Sequence, residues 1–136
     1  MIDLLNAIKA RLESTGAQVY LIDVPENVQP EFPYYIVWGS GGGDQSLTLD
    51  GKQNYLVDET VGVTCSGLTP DSALVLSRNA RAKLKGWKPS VSGWLTHPLR
   101  FGDARAVLAD RDVTLPDSNR HPYYCVDLYE LNARKL

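Results

Sequence analysis

The most constraining feature of the sequence is a strand pattern followed at once by a helix pattern, over residues 55–84. In residues 55–65, alternate side chains are mainly apolar, and they are Tyr55, Val57, Glu59, Val61, Val63 and Cys65. A period of two with one apolar side is typical of a β-strand with one buried face. Glu59 interrupts this pattern at one position. The segment therefore predicts a strand that covers a core.

A helix is predicted for residues 70–84, because both of its ends carry local signals. Thr69 can cap the helix N-terminus, Pro70 suits the first helical position, and the charge of Asp71 suits the helix dipole. Gly86 follows as a C-cap. An apolar stripe with spacings of three and four is formed by Ala73, Leu76, Ala80 and Leu84. The strand thus leads directly into a helix that can pack on the same sheet.

The rest of the chain continues these short alternations. Helical spacing predicts a helix over residues 2–14, with an apolar row formed by Ile2, Leu5, Ile8 and Leu12 and with Leu4 beside it. Further strands are predicted at residues 18–24, 34–38, 93–101, 104–115 and 123–131. Residues 34–38 are almost wholly apolar, which predicts a central strand covered on both faces, and three prolines predict an extended, irregular segment over residues 25–33.

These elements predict an α+β fold with a mixed, mainly antiparallel sheet and two helices packed on it, in the order α-β-β-β-α-β-β-β. At 136 residues the chain is expected to form a single domain over residues 1–136, because each half alone would bury too small a core. Cys65 and Cys125 both lie in strand patterns and are interpreted as buried thiols of a reducing compartment, with a disulfide as the alternative. The charged N-terminal segment is unlike a signal peptide, and no long apolar run is present, so a soluble, intracellular protein is expected.

Charge is distributed unevenly along the chain. Residues 1–68 hold nine acidic and three basic side chains, whereas residues 69–136 hold seven acidic and eleven basic ones. This asymmetry predicts two surfaces of different charge. The alternative is that strands from both halves intermix in space, so that the difference averages out.

The connection over residues 39–54 is long for a hairpin. Its alternating leucines suggest that part of it extends the flanking strands into an arm that becomes ordered against a partner, and a floppy linker is the alternative. As an arm, this long hairpin loop would contact a partner protein. The candidate residues are Gly41, Gly42, Gly43, Asp44, Leu47, Leu49, Asp50 and Lys52.

No catalytic, metal or cofactor site is predicted. The glycines of residues 39–43 match neither phosphate-binding pattern, because no helix follows them and Gly51–Lys52 is followed by Gln53. His97 and His121 are far apart and each precedes a proline, as turn residues often do. Asp110 and Asp112 flank an arginine, and the trio is interpreted as a surface strand whose charges compensate one another.

The second helix has a basic face formed by Arg78, Arg81 and Lys85. Such a face could contact a phosphate backbone. The alternative interpretation is a solvated surface whose cations interact favourably with the C-terminal end of the helix dipole. The acidic net charge of −2 argues against a dedicated DNA-binding protein.

Three stretches of the sequence resemble the small tail-completion proteins of long-tailed bacteriophages. The first is the N-terminal helix followed by VYLIDVPENVQPEFPYYIVWG, the second is YLVDETVGVTCSGLTPDSALVLSRNARAKL, and the third is the ending with WLTHPL, DRDV and HPYYCVDLYELNA. The resemblance covers nearly the whole chain and is one of element order and local character. The run of glycines at residues 39–43 departs from it.

The resemblance implies a tail terminator, which is a structural protein of the virion. Such a protein forms a ring, commonly a hexamer, that caps the tail tube, stops its polymerisation and joins it to head or neck proteins. It implies a place at the tail–neck junction, assembly in the host cytoplasm, no cofactor and no membrane. Genomic DNA would pass through the ring without sequence-specific binding, and an acidic balance suits such a channel because it repels phosphates.

Two other functions are kept as alternatives. One is a neck adaptor or stopper on the head side of the same joint. The other is a nucleic-acid or peptide-binding module that uses the basic face of the second helix. An enzyme is not expected.

Overall fold

A computed structural model describes residues 2–39, 44–47, 53–115 and 120–136. Its elements, in chain order, are α1 (Ile2–Glu13), β1 (Gln18–Leu21), β2 (Tyr34–Gly39), β3 (Asp44–Leu47), β4 (Gln53–Gly67), α2 (Pro70–Leu84), β5 (Trp94–Thr96), β6 (Arg100–Ala104), β7 (Leu108–Ala109) and β8 (Tyr123–Lys135). The two helices and the mixed sheet confirm the predicted α+β class, with an element order close to the predicted one.

One sheet contains all of these strands. From one edge to the other the order is β1-β2-β4-β8-β5, with β3 beside β4 and with β6 and β7 beside β8. The β1–β2 pair is parallel, and the other pairs are antiparallel. The long strands β4 and β8 form the centre of the sheet and are paired from Leu56–Arg134 to Gly67–Tyr123.

The hydrophobic core lies between the two helices and one face of the sheet. The apolar side of α1 is buried as predicted at Leu5, Ile8 and Leu12, whereas Ile2 is exposed. The sheet contributes the alternating positions of its central strands, and the buried side chains there include Tyr35, Val37, Val61, Val63, Tyr129 and Leu131. The period-two pattern of residues 55–65 therefore predicted correctly which side of β4 faces the core, where Val61, Val63 and Cys65 are buried.

Helix α2 confirms the predicted start and the predicted last residue, Leu84, whereas its C-cap is Lys85 and not the predicted Gly86. The Thr69 hydroxyl accepts a hydrogen bond from the Ser72 amide at 3.1 Å, and Pro70 is the first helical residue. At the other end Lys85 is the capping residue, and Gly86 follows it with a φ of 77°. Glycine adopts this left-handed conformation at little cost, so the chain leaves the helix here.

Two strand predictions near the N-terminus need correction. The strand predicted for residues 18–24 ends at Leu21, because Ile22 has a φ of 72°, which breaks the extended conformation. The prediction that residues 34–38 are covered on both faces is wrong. Strand β2 is central, but Tyr34, Ile36 and Trp38 on its second face are only half-buried, because both helices pack on the other side.

The region of residues 93–115 also differs from the prediction. The strand predicted for residues 93–101 is divided into β5 and the start of β6, with Pro98 in the gap between them. Of the strand predicted for residues 104–115, only Leu108–Ala109 and the end of β6 pair with β8. Arg111 and Asp112 lie in a turn, so the interpretation of residues 110–112 as a surface strand is wrong. Three short strands share the edge of β8 because the chain turns away from it after each one.

Candidate interaction surfaces

The predicted arm is present in part. Strand β3 lies within the predicted long connection and pairs with β4 from Asp44–Leu56 to Leu47–Gln53. This pairing extends the sheet as a hairpin and argues against a floppy linker for these residues. Among the candidate contact residues, Asp44 and Leu47 are the two ends of β3. The others lie outside the described residues, and they are Gly41, Gly42, Gly43, Leu49, Asp50 and Lys52.

The three residues of the predicted basic face do not share one environment. Arg78 on α2 and Lys85, which caps this helix, are exposed. Arg81 instead turns toward the sheet, where its Nη2 lies 3.3 Å from Oδ1 of Asp127 on β8. The same guanidinium lies over the ring of Phe101, 4.2 Å from its centroid. The solvent-facing cations of this face are therefore Arg78 and Lys85.

Asp127 is the centre of a buried polar cluster that the sequence reasoning did not find. Its side chain is 1% exposed, and its Oδ2 accepts a hydrogen bond from the Ser77 hydroxyl at 2.7 Å. A buried carboxylate requires such partners, because an unpaired charge is very unfavourable in the core. The available signal was its position on the apolar side of the β8 pattern, between Cys125 and Tyr129.

The two cysteines face each other across the central strands. Cys65 and Cys125 are direct partners in the β4–β8 register, and both are buried free thiols, as the sequence predicted. The Cys125 thiol donates to the Ala73 carbonyl at 3.6 Å and so contacts α2. Hydrogen bonding to Cys125 and burial both raise the pKa of the Cys65 thiol. This pair belongs to the packing between α2 and the sheet.

The second face of the sheet carries a groove of about 570 Å³. Aromatic side chains of the sheet form its floor, with Tyr34 opposite Ser66, which in turn is opposite Tyr124. Its walls come from the irregular segment before β2 and from residues 110–115. Burial raises the pKa of the Tyr34 hydroxyl, and a hydrogen bond with Ser66 partly offsets this effect. The groove is open and partly apolar, which suits contact with another protein.

No three His, Cys, Asp or Glu side chains come together as a metal site would require within residues 2–39, 44–47, 53–115 and 120–136. His97 and His121 lie in separate places, and His121 Nδ1 is 2.5 Å from the carbonyl oxygen of Val113. Neither α1 nor α2, the helices of the described part, is long and apolar enough to cross a membrane.

Comparison with known proteins identifies a shared fold. No protein family profile matches the sequence, and no curated protein is significantly similar to it. Among solved structures, this chain is similar to a chain in the structure entitled "Virion of native gene transfer agent (GTA) particle". The TM-score is 0.54 with 16% sequence identity, and the match covers 96% of this chain and 95% of that one. At this identity the likeness establishes the fold.

Proposed function

We propose that this chain is a structural virion protein of a tailed phage or phage-like particle, and that it acts as a tail terminator. The observation that carries the proposal is the likeness in fold to a chain of the gene transfer agent virion, because it extends over 96% of this chain and 95% of that one. The resemblance of the sequence to tail-completion proteins points to the same class. In this role, copies close into a ring, most simply a hexamer, which caps the tail tube and joins it to neck proteins.

The architecture supports a structural role. The buried polar groups of the cluster around Asp127 bond to one another and hold α2 on the sheet. The outer sides of β1 and of β5 and β6 pair with no other strand among the described residues. Open sheet edges are natural places for contact between copies. The chain is therefore proposed to be an assembly component and not an enzyme.

The β3–β4 hairpin is proposed to contact the tail tube or the adjacent subunit. Residues 53–55 of β4 pair only with β3 among the described strands, so the hairpin continues beyond the body of the sheet. Shortening residues 41–52 tests this contact. We expect this variant to lose capping. Shortening residues 116–119 is the control deletion elsewhere in the chain and should leave capping unchanged. If the variant shortened at residues 41–52 still forms rings and caps tubes of normal length, this hairpin is not the contact.

Particles that lack this protein provide the main test of the function. A missing terminator should leave tail tubes of uncontrolled length that do not join heads, and adding the purified protein should restore a defined length. Electron microscopy of the purified protein, alone and with tube protein, should show rings and capped tubes. Tubes of normal length in its absence would contradict the proposal.

The head-side alternative is distinguished by location. A neck adaptor or stopper would be present on heads purified from particles that lack tails, whereas a tail terminator would be present on tails purified without heads. The nucleic-acid-binding alternative predicts a monomer whose DNA binding falls with salt. Because Arg81 is engaged with Asp127, that binding would depend on Arg78 and Lys85.

A further inference from the structure

The two edges of the sheet differ in charge. At the first edge, β1 is followed by the segment of residues 22–33, which connects it to β2. Asp23, Glu26 and Glu31 in this segment are exposed, and the sequence has no lysine or arginine between Arg11 and Lys52. We name residues 18–31 the acidic edge.

At the opposite edge, β6 and β5 lie along β8. Arg100 and Arg105 are exposed there, and Asp103 is the acidic residue of β6. Arg134 is exposed one strand inward, on β8, where it is paired with Leu56 of β4 and Leu95 of β5. Arg100 lies 4.0 Å from Glu130, which is a weak contact between exposed side chains. We name β5, β6, Arg105 and the last residues of β8, 134–136, the basic edge.

Each edge also exposes apolar side chains. Ile22 is 55% exposed at the acidic edge, and Leu95 is 40% exposed at the basic edge. Ile22 is unusual because its φ of 72° is unfavourable for a β-branched residue. The Ile22 amide donates to the Val37 carbonyl at 2.7 Å, and the next amide, of Asp23, donates to the Leu21 carbonyl at 2.8 Å, which together hold this conformation. Because the Ile22 side chain is held outward in this way, it buries little apolar surface within its own chain.

We propose that the acidic edge of one copy binds the basic edge of the next copy. This inference rests on the proposed ring and specifies its contact. The charges are complementary, and apolar side chains lie within both surfaces. Because the two surfaces are on opposite edges of the sheet, the contact is heterologous and repeats around an axis, as ring closure requires. A two-fold contact of either edge with itself would place like charges together.

Charge reversal on each edge tests the contact. One variant carries Asp23→Lys, Glu26→Lys and Glu31→Lys, and the other carries Arg100→Glu, Arg105→Glu and Arg134→Glu. All of these positions are exposed, so the fold should be retained. Each variant alone places like charges at every contact, and we expect association to weaken by roughly 100-fold or more. Sedimentation velocity and native mass spectrometry at low salt measure this change.

A mixture of the two variants is the decisive sample. In an alternating assembly, every contact between the two variants is again between opposite charges, so the mixture should associate to within about tenfold of the original chain. The variant Arg78→Glu with Lys85→Glu, on α2, is the control and should associate normally. Failure of the mixture to recover, or equal weakening by the control, would overturn the assignment of these edges.

A second measurement does not depend on the variants. A mixture of isotopically labelled and unlabelled copies of the unchanged chain, treated with a carbodiimide, should give cross-links between acidic-edge carboxylates and Lys135 of another copy. A chain that stays monomeric at low salt, or cross-links that join other surfaces, would contradict the contact. Tail length in particles lacking the protein is a separate readout, so a wrong interface is distinguishable from a wrong function.

Discussion

The guanidinium of Arg81 on α2 lies 3.3 Å from the carboxylate of Asp127 on β8, and Ser77 from the same helix donates to the second carboxylate oxygen. The Asp127 carboxylate is 1% exposed and lies in the core. These bonds connect it to the face of α2 that the sequence analysis interpreted as a basic outer face. The ion pair therefore fixes α2 on the sheet.

The first prediction concerns this ion pair. Arg81→Gln leaves the buried carboxylate of Asp127 with Ser77 as its polar partner, so we expect the free energy of unfolding to fall by about 2 kcal/mol. This figure is below that of a fully buried pair because the Arg81 side chain is 39% exposed. Urea unfolding measures the change. Arg78→Gln, on the exposed side of the same helix, should change stability by less than about 0.5 kcal/mol. Equal effects of the two substitutions would show that the pair contributes little.

The second prediction compares two buried tyrosines. The Tyr35 hydroxyl donates to the Leu76 carbonyl at 2.8 Å, whereas the Tyr129 hydroxyl has no hydrogen-bond partner among the described residues. Tyr35→Phe should lower the free energy of unfolding by about 1 kcal/mol, and Tyr129→Phe should leave it unchanged or raise it, because an unsatisfied polar group is removed. Thermal and urea unfolding of the two variants check the difference. The reverse order would contradict the described hydrogen bonds.

The third prediction concerns alkaline pH. Burial raises the pKa of both Tyr35 and Tyr129 well above the usual value. In the unfolded chain these tyrosines lose protons near pH 10, while the folded chain retains them. The unfolded state then binds fewer protons, so stability is present below about pH 10 and falls above it, by up to about 1.4 kcal/mol per pH unit for each tyrosine. Urea unfolding from pH 8 to 11 measures this slope, and Tyr129→Phe should make it shallower. An unchanged slope would contradict the role of Tyr129.

The fourth prediction concerns the second face of the sheet. The indole of Trp38 lies over Gly62, where an added Cβ would be 2.1 Å from its ring atoms, and its Nε1 donates to the Thr64 hydroxyl at 3.0 Å. Gly62→Ala should displace the ring and lower the free energy of unfolding by about 1–3 kcal/mol.

The control for this prediction is a double-mutant cycle. In a Trp38→Leu background the same Gly62→Ala substitution should cost much less, because the ring is no longer present. Urea unfolding of the four proteins gives the coupling free energy. If the effects of the two substitutions on the free energy of unfolding are additive, the position of the Trp38 ring does not require a glycine at residue 62.

Features set by residues close together in the chain were predicted from the sequence, and features set by residues far apart in the chain were not. The span of helix α2 and its N-cap were predicted correctly, because the cap and the apolar spacing lie within a few positions of each other in the chain. Arg81 was not placed correctly, since its direction depends on Asp127, 46 residues away. The groove was also missed. The apolar pattern of β2 indicates a buried strand, but it does not indicate which face of the sheet the helices leave uncovered.

Propensity, capping and side-chain period act over short stretches, so the α+β class, the helix boundaries and the core side of β4 followed from local sequence. Which segments pair with β8 depended on contacts between parts of the chain that are distant in sequence. Residues 104–115 alternate like a strand, yet a strand forms only where a neighbouring backbone is free to bond, and that limited pairing after β6 to Leu108–Ala109. The strand order likewise sets Asp23, in the segment after β1, and Arg100, on β6, at opposite edges of the sheet, because only the pairing of distant strands fixes their separation.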